Sequence, residues 1–458
     1  MRTLVLELRQ IAHSRLAVGA AVLLLVLSAL SVHTGLRAVA QQQATLERIA
    51  ASHARDHAAI AAKQLAGADA GEEGSAEAGS VGYYLPHLTV NPPSPLAFAA
   101  IGQRDLQPAA LRVRLLGLHS QLYESEAINP ELAMPGRFDF AFVLVYLVPL
   151  FVIALMHDLV SNEREAGRLR LLASLPAGGA DTWRRRVGLR YGLVWLAALL
   201  PVLAGALLAG AGLAGFAMIA LVATLYLAFW FGLAAWVAAR ARSSAGSAAI
   251  LLACLVGLTM IVPTLADAAI ARLSPVSKGV ELALAQRQAV HTGWDIPKSV
   301  TFERFFRSHP EWKDTAPVTG RFHWKWYYAM HQAGDDAVAA DVARYRASMA
   351  AREDWTARAG LLLASVNVQV LLHRLADTDL AAQLAYHERI GAYHTQLRRF
   401  FYPYLFEERP FTRADLAKLP VYENGPARGA LALGQLGALA VLALVLLGVG
   451  LRRLRAAQ

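Results

Sequence analysis

Between Tyr191 and Ala238 the chain carries no Asp, Glu, Lys, Arg or His. The same holds from Ser243 to Ala266 and from Gly429 to Leu451. Such runs suit a solvent in which charge is costly and backbone polar groups must be satisfied internally, which is the interior of a bilayer. Crossing a hydrocarbon core as a helix takes ~20 apolar residues. Six stretches reach that scale: 16–36, 140–156, 191–211, 215–238, 247–266 and 429–451. With 56% hydrophobic residues and a mean hydropathy of +0.38, the chain is too apolar for an ordinary soluble protein of 458 residues. The pattern predicts an all-α polytopic membrane protein.

A net charge of +10 raises the question of nucleic acid, and its distribution answers it. With the N-terminus inside, the inner segments are 1–15, 157–190, 239–246 and 452–458. They hold 15 Arg, no Lys and five acids: Glu7, Asp158, Glu163, Glu165 and Asp181. The remaining 29 basic and 29 acidic residues cancel. The excess therefore collects on one face of the bilayer, as the positive-inside rule expects, with both termini cytoplasmic. Anionic headgroups are partner enough for it, and no nucleic acid is expected. The single cysteine, Cys254, excludes an intramolecular disulfide, so the large loops must fold by core burial.

The expected organisation follows from composition. Residues 1–36 form a short amphipathic arm, with Leu4, Leu6, Leu8 and Ile11 alternating with Glu7, Arg9 and Arg15, and then the first span. Ala38-Val39-Ala40 resembles a signal-peptidase site, but the long arm, Arg37 and the full spanning length favour a retained anchor. Residues 37–137 form a first external insert. Within it, 41–65 continues the helix outward, 67–82 (GADAGEEGSAEAGSVG) reads as a mobile linker, and Asn91-Pro92-Pro93-Ser94-Pro95 excludes regular helix. Residues 138–266 hold spans two to five and an inner segment, 157–190. Pro201 and Pro263 are expected to kink their helices, and a glycine-rich turn joins 210 to 215. Residues 267–427 form the second external insert, with helical stretches at 336–358 and 376–399. The aromatic run from Phe400 to Phe406 breaks that pattern and reads as a buried cluster. Residues 428–458 are the sixth span and a basic tail. The two inserts, with no spanning element of their own, are expected to pack as one mostly helical domain.

The segment that follows the second span, 161–176, concentrates the chemistry. Read as a helix, it sets Leu169, Leu172 and Leu175 at three-residue steps on one face, with Glu163, Glu165, Arg168 and Arg170 supplying charge. It is either a handle at the membrane boundary for another protein or a positively charged juxtamembrane loop. No GxxxxGK[ST] or GxSxG occurs. His387-Glu388-Arg389-Ile390-Gly391 begins like a zinc-protease motif and lacks the second His. His53, Asp56 and His57 offer at most two imidazoles on a helix face, which a solvated charged helix explains better than a metal. His33 reads as interfacial. Spans without ionisable residues lack a proton path, so any work must arrive from outside the bundle.

With these residues in place, the chain resembles an ABC-2-type transporter permease. The arm with Arg9 and Arg15 resembles that class's elbow helix. The run from Phe138 to Leu150 leading into Glu163-Arg164-Glu165-Ala166-Gly167-Arg168-Leu169-Arg170-Leu171-Leu172 resembles its second helix and coupling segment. Two large inserts, Gly102-Gln103-Arg104-Asp105-Leu106-Gln107-Pro108 and Leu375-Ala376-Asp377-Thr378-Asp379 resemble a bacterial branch whose extracytoplasmic domain has unknown function. Arg168 departs from the Thr common there. The resemblance implies a non-enzymatic subunit of the bacterial inner membrane, with no cofactor on this chain. A separate subunit would bind ATP and grip Glu163, Arg164, Glu165, Gly167, Leu169, Leu171 and Leu172, and a second permease, identical or sibling, would complete the pore. Two alternatives are an ATPase-driven mechanotransmission protein and a membrane-anchored extracytoplasmic binding module.

Overall fold

A computed structural model describes residues 7, 9, 11–64, 75–123, 137–169, 180–276, 279–425, 429 and 432–456. The described residues are about 78% helical. Its helices are α1 (Arg15–Gln64), α2 (Ser75–Tyr84), α3 (Leu118–Leu122), α4 (Phe140–Phe142), α5 (Val148–Met156), α6 (Ser161–Glu165), α7 (Ala180–Leu208), α8 (Gly212–Arg240), α9 (Ser244–Val256) and α10 (Val262–Leu273). They continue with α11 (Gly279–Thr292), α12 (Lys298–Ser308), α13 (Trp324–Gly360), α14 (Ala364–Ala376), α15 (Leu380–Phe406), α16 (Arg413–Leu416) and α17 (Leu433–Ala456). One antiparallel pair, β1 (His87–Val90) with β2 (Ala110–Val113), lies between α2 and α3.

Among the described residues, six helical stretches are long and apolar enough to cross a membrane: Arg15–Lys63, Phe140–Glu165, Thr182–Leu208, Gly212–Arg240, Ser244–Leu273 and Leu433–Ala456. They form a bundle around one hydrophobic core, with α8 and the Phe140–Glu165 helix most deeply buried. The outer helices keep large apolar residues exposed along their length, among them Leu23 and Leu30 on α1, Leu196 and Leu200 on α7, Met260 and Leu265 around α10, and Leu444 and Val445 on α17. A belt of this kind inverts the surface of a soluble protein and matches lipid as solvent.

α8 and α17 meet backbone to backbone. A Cβ at Gly232 would lie 2.4 Å from the Leu447 nitrogen, and one at Gly450 would lie 2.4 Å from the Gly232 carbonyl oxygen. Small residues allow this approach, which is how helices gain packing where lipid removes the hydrophobic driving force.

Two spans share a device. Val143–Leu147 and Gly257–Ile261 are π-helical, and each is followed by Val-Pro: Val148-Pro149 and Val262-Pro263. A proline ring crowds the carbonyl four residues back and has no N–H to give it, so a widened turn just ahead relieves the clash. The carbonyls left short of donors find side chains. Tyr226 Oη donates to Val145 O at 3.0 Å, and Ser365 Oγ donates to Leu258 O at 2.7 Å. The expected distortion at Pro263 takes the form of this π turn. Pro201 lies inside α7.

A second core joins α2, the β-pair and α3 to α11, α12, α13 and α15. Its polar knot is Asp335 on α13. This carboxylate accepts from the Leu118 amide at 2.8 Å and pairs with Arg398 Nη2 at 2.6 Å. Burial alone would raise its pKa, but the Arg398 guanidinium holds it below the ordinary carboxylate range.

Four expectations need correction. Part of the presumed linker 67–82 is helical: α2 buries Ala78 and Val81 and lays Gly79 against the Trp324 side chain. Residues 65–74 lie outside the described residues. The run from Phe400 to Phe406 continues α15 instead of ending it, because Phe401, Tyr402, Leu405 and Phe406 fall on one helical face and are buried, as the cluster reading expects. The second insert does not pack wholly into its own domain. α14 joins the bundle core through Ala364, Val368, Leu371, Leu372 and Leu375, an i, i+4, i+7, i+8, i+11 stripe. Finally, 161–176 is not one helix, as the next subsection describes.

Two predictions follow from this packing. Gly232→Leu should push α17 off α8 and lower stability by about 2–3 kcal/mol, the range for overpacking, read by thermal unfolding in detergent. The second core buries His87, His387 and His394, and burial pushes their imidazoles down to about 3, 4 and 3. The native state then binds fewer protons than the unfolded chain below pH ~6.5. Stability should be intact above that pH and fall as pH drops toward 4, by up to about 1.4 kcal/mol per unit for each histidine. Near-UV circular dichroism at pH 7 and pH 5 reads it, and His394→Gln should flatten the slope.

Candidate functional site

The 161–168 segment begins where the apolar helix turns polar. α6 is a single short helix, and it stops in a Schellman arrangement. The Arg168 amide donates to Glu163 O and the Gly167 amide to Arg164 O, both at 3.0 Å. Gly167 takes φ +68°, the left-handed conformation that glycine adopts without a Cβ clash. That stop is the physical reason Glu163 and Glu165 do not share one helix with Leu169; Leu172 and Leu175 lie outside the described residues.

The segment has a buried half and an exposed half. Glu163 is only 5% exposed and is held between two arginines. Arg186 Nη1 donates to its Oε1 at 2.8 Å and Arg168 Nε to its Oε2 at 2.7 Å. Arg186 Nε also reaches both Glu7 carboxylate oxygens, at 3.0 and 3.2 Å. The Arg186 guanidinium lies 5.5 Å from the centre of the buried Trp183 ring. Arg164 donates to the Ala241 carbonyl at 2.8 Å, and Ser161 and Ser244 share a 2.7 Å hydrogen bond. Leu169 packs partly buried against the bundle core. Glu165, Ala166, Gly167 and Arg168 are exposed, with Ser244 Oγ 3.5 Å from Glu165 Oε1.

These contacts bring together the arm before α1, the start of α7, the turn between α8 and α9, and the end of the Phe140–Glu165 helix. They define one end of the bundle, the arm end. α17 reaches the same end, since it starts beside α13 and α14 with Gln435 donating to Ala357 O at 2.8 Å and passes Gly232 near its finish. Beside the ion pairs opens a polar cleft of about 180 Å³, bordered by Ser14, Asp158, Asn162 and Arg190.

Of the residues expected to form a handle, Glu163, Arg164 and Leu169 face inward, and Glu165 and Gly167 face out. Leu171 and Leu172 lie outside the described residues. Arg186 and Glu7 are the members missed by local pattern: one belongs to an Arg run and the other to the arm, and only the fold joins them. Elsewhere, Asp56 accepts from Arg112 Nη1 at 2.9 Å, and His53 and His57 stand 5.7 Å apart. Among the described residues no group of three or more His, Cys, Asp or Glu is placed to hold a metal.

Residues 280–424 match the family model described as a domain of unknown function, DUF3526. That stretch spans the second-core helices from α11 onward together with α14, and none of the 161–168 segment. No curated protein and no solved structure matches the chain.

Arg186→Met should leave Glu7 and Glu163 without their shared cation. The cost should be about 3 kcal/mol, the low end for a broken buried pair because the cluster sits at the bundle rim. Glu165→Gln should leave the melting temperature unchanged. Differential scanning calorimetry of the two variants in one detergent compares them directly.

Proposed function

We propose that this chain is the membrane-spanning permease subunit of an ATP-driven ABC-2-type exporter in a bacterial inner membrane. It works with a separate ATP-binding subunit and a second permease, identical or sibling. The arm end is cytoplasmic in this reading, and the second core, with its contributions from 37–137 and 267–427, is extracytoplasmic. The excess arginine at the arm end supports that orientation.

The single observation that carries the reading is the divided 161–168 segment. Glu165, Gly167 and Arg168 offer a charged, exposed hook, while Glu163 and Arg164 tie the same few residues to α1's arm, to α7 and to the α8–α9 turn. A push on the hook is delivered to four spans at once. A solvated loop would need no such anchorage. The chain itself carries no P-loop, so the nucleotide belongs to the partner.

One observation favours the mechanical alternative beside export. α14 belongs to the matched domain yet sits in the bundle core, bonded to both π turns: Ser365 to Leu258 O, and Gln369 Nε2 to Tyr146 Oη at 3.1 Å. Movement of the spans would reach the second core through it, with or without a cargo crossing.

Purification from its native membrane in mild detergent should recover an ATP-binding subunit with the chain. Glu165→Arg should cut that recovery about tenfold or more, as expected for a reversed charge at an interface. A complex without an ATPase, or one indifferent to the substitution, sinks the coupling role. Protease access to the 161–168 segment from outside intact cells would overturn the orientation.

A further inference from the structure

Where β2 and the turn before α3 face α11 and α13, the surface of the second core forms an open cleft of about 580 Å³. Its chemistry is one-sided. Arg112, Arg114, Arg287, His291, Trp294 and His331 border it, and among the described residues no Asp or Glu does. Of the described carboxylates, Asp56 pairs with Arg112 at the rim and Asp335 pairs with Arg398 beneath the floor. Among the described residues no carboxylate lies within ion-pair distance of Arg114, whose side chain emerges on the exposed side of the strand end next to buried Val113 and Leu115.

Two further features distinguish the cleft from a solvated basic face. Trp294 is 50% exposed at the mouth, its ring edge-on to Trp326 at 4.9 Å. An indole left half in water beside arginines is a ready stacking surface for a planar or apolar body. In the wall, His331 Nδ1 accepts from the Gly117 amide at 3.1 Å, so the neutral ring carries its proton on Nε2, and that N–H has no partner. Burial keeps this imidazole neutral, with its pKa pushed down to about 4. The described lining thus offers cations and donors and no carboxylate.

We propose that this cleft binds a small molecule carrying two or more carboxylate or phosphate charges on a planar or apolar frame. The volume suits a small ligand. A bilayer lipid is the wrong source for these charges. Asp56, which holds Arg112, lies twenty residues beyond Leu36 on the unbroken helix α1, so the rim stands about 30 Å past the apolar part of the first span. The ligand is therefore water-soluble. This site does not depend on whether the bundle is coupled to an ATPase, and its test can fail independently of that reading.

The test is isothermal titration of the full-length chain in neutral detergent at low salt with three probes: pyrophosphate, citrate and benzene-1,3,5-tricarboxylate. At least one should bind saturably with one site per chain and change tryptophan fluorescence. Arg114→Gln should weaken that binding about tenfold or more, and Arg114→Lys should restore part of it. Trp294→Ala should weaken the benzenetricarboxylate more than pyrophosphate. Arg307→Gln, an exposed arginine on α12 outside the cleft, should change nothing and serves as the folding and surface-charge control. No saturable binding of any probe at millimolar concentration overturns the proposal. So does binding that survives Arg114→Gln, or binding lost equally in Arg307→Gln.

Discussion

A peptide carbonyl without a donor is expensive in hydrocarbon, and the architecture of this chain is organised around that cost. It makes all six spans helical. It also explains the side chains that reach across the bundle where two of those helices widen. Val145 and Leu258 both stand just ahead of a Val-Pro pair, and a hydroxyl meets each: Tyr226 from the most buried helix, and Ser365 from a helix that belongs to the matched domain. The second contact comes from α14, whose apolar stripe places it in the bundle core.

That attachment gives the molecule two ends of different character. At the far end, α14 is wedged among α8, α17 and both π turns. Thr378, just beyond it, donates to the Ala100 carbonyl at 2.8 Å and so binds the first insert to the same wedge. At the arm end, ion pairs replace packing: Glu7, Arg186, Glu163 and Arg168 hold three chain segments within a few ångströms. Between them run α8 and α17, in backbone contact at Gly232 and Gly450. Displacement at one end therefore has a stiff path to the other, because close-packed helices with small residues at their crossing shift as a unit.

Much of this was legible along the chain. The spans stand out because hydrocarbon tolerates no charge, and the helix beyond the first span followed from its alanine-rich composition. The buried aromatic cluster was recognisable, though not the continuity of α15 through Pro403, since a proline in a last turn looks the same in sequence as a stop. The segment around Glu163 was found by its charge density. Its division into a gripping half and an exposed half was not, because the sign of each residue's burial depends on Arg186 and Glu7, distant in sequence. The basic cleft was invisible for the same reason: Arg114 and Trp294 are separated by most of the bundle.

The sequence by itself determined that the chain carries apolar helices of membrane-spanning length and which segments hold the excess arginine, since these depend only on composition within local windows. Only the tertiary structure decided that α14 leaves its own domain for the bundle, that α2 is ordered against Trp324, and that Glu163 is buried between two arginines while Glu165 is exposed. Those outcomes are set by contacts between segments tens to hundreds of residues apart, and local periodicity carries no information about which distant surface a face will meet.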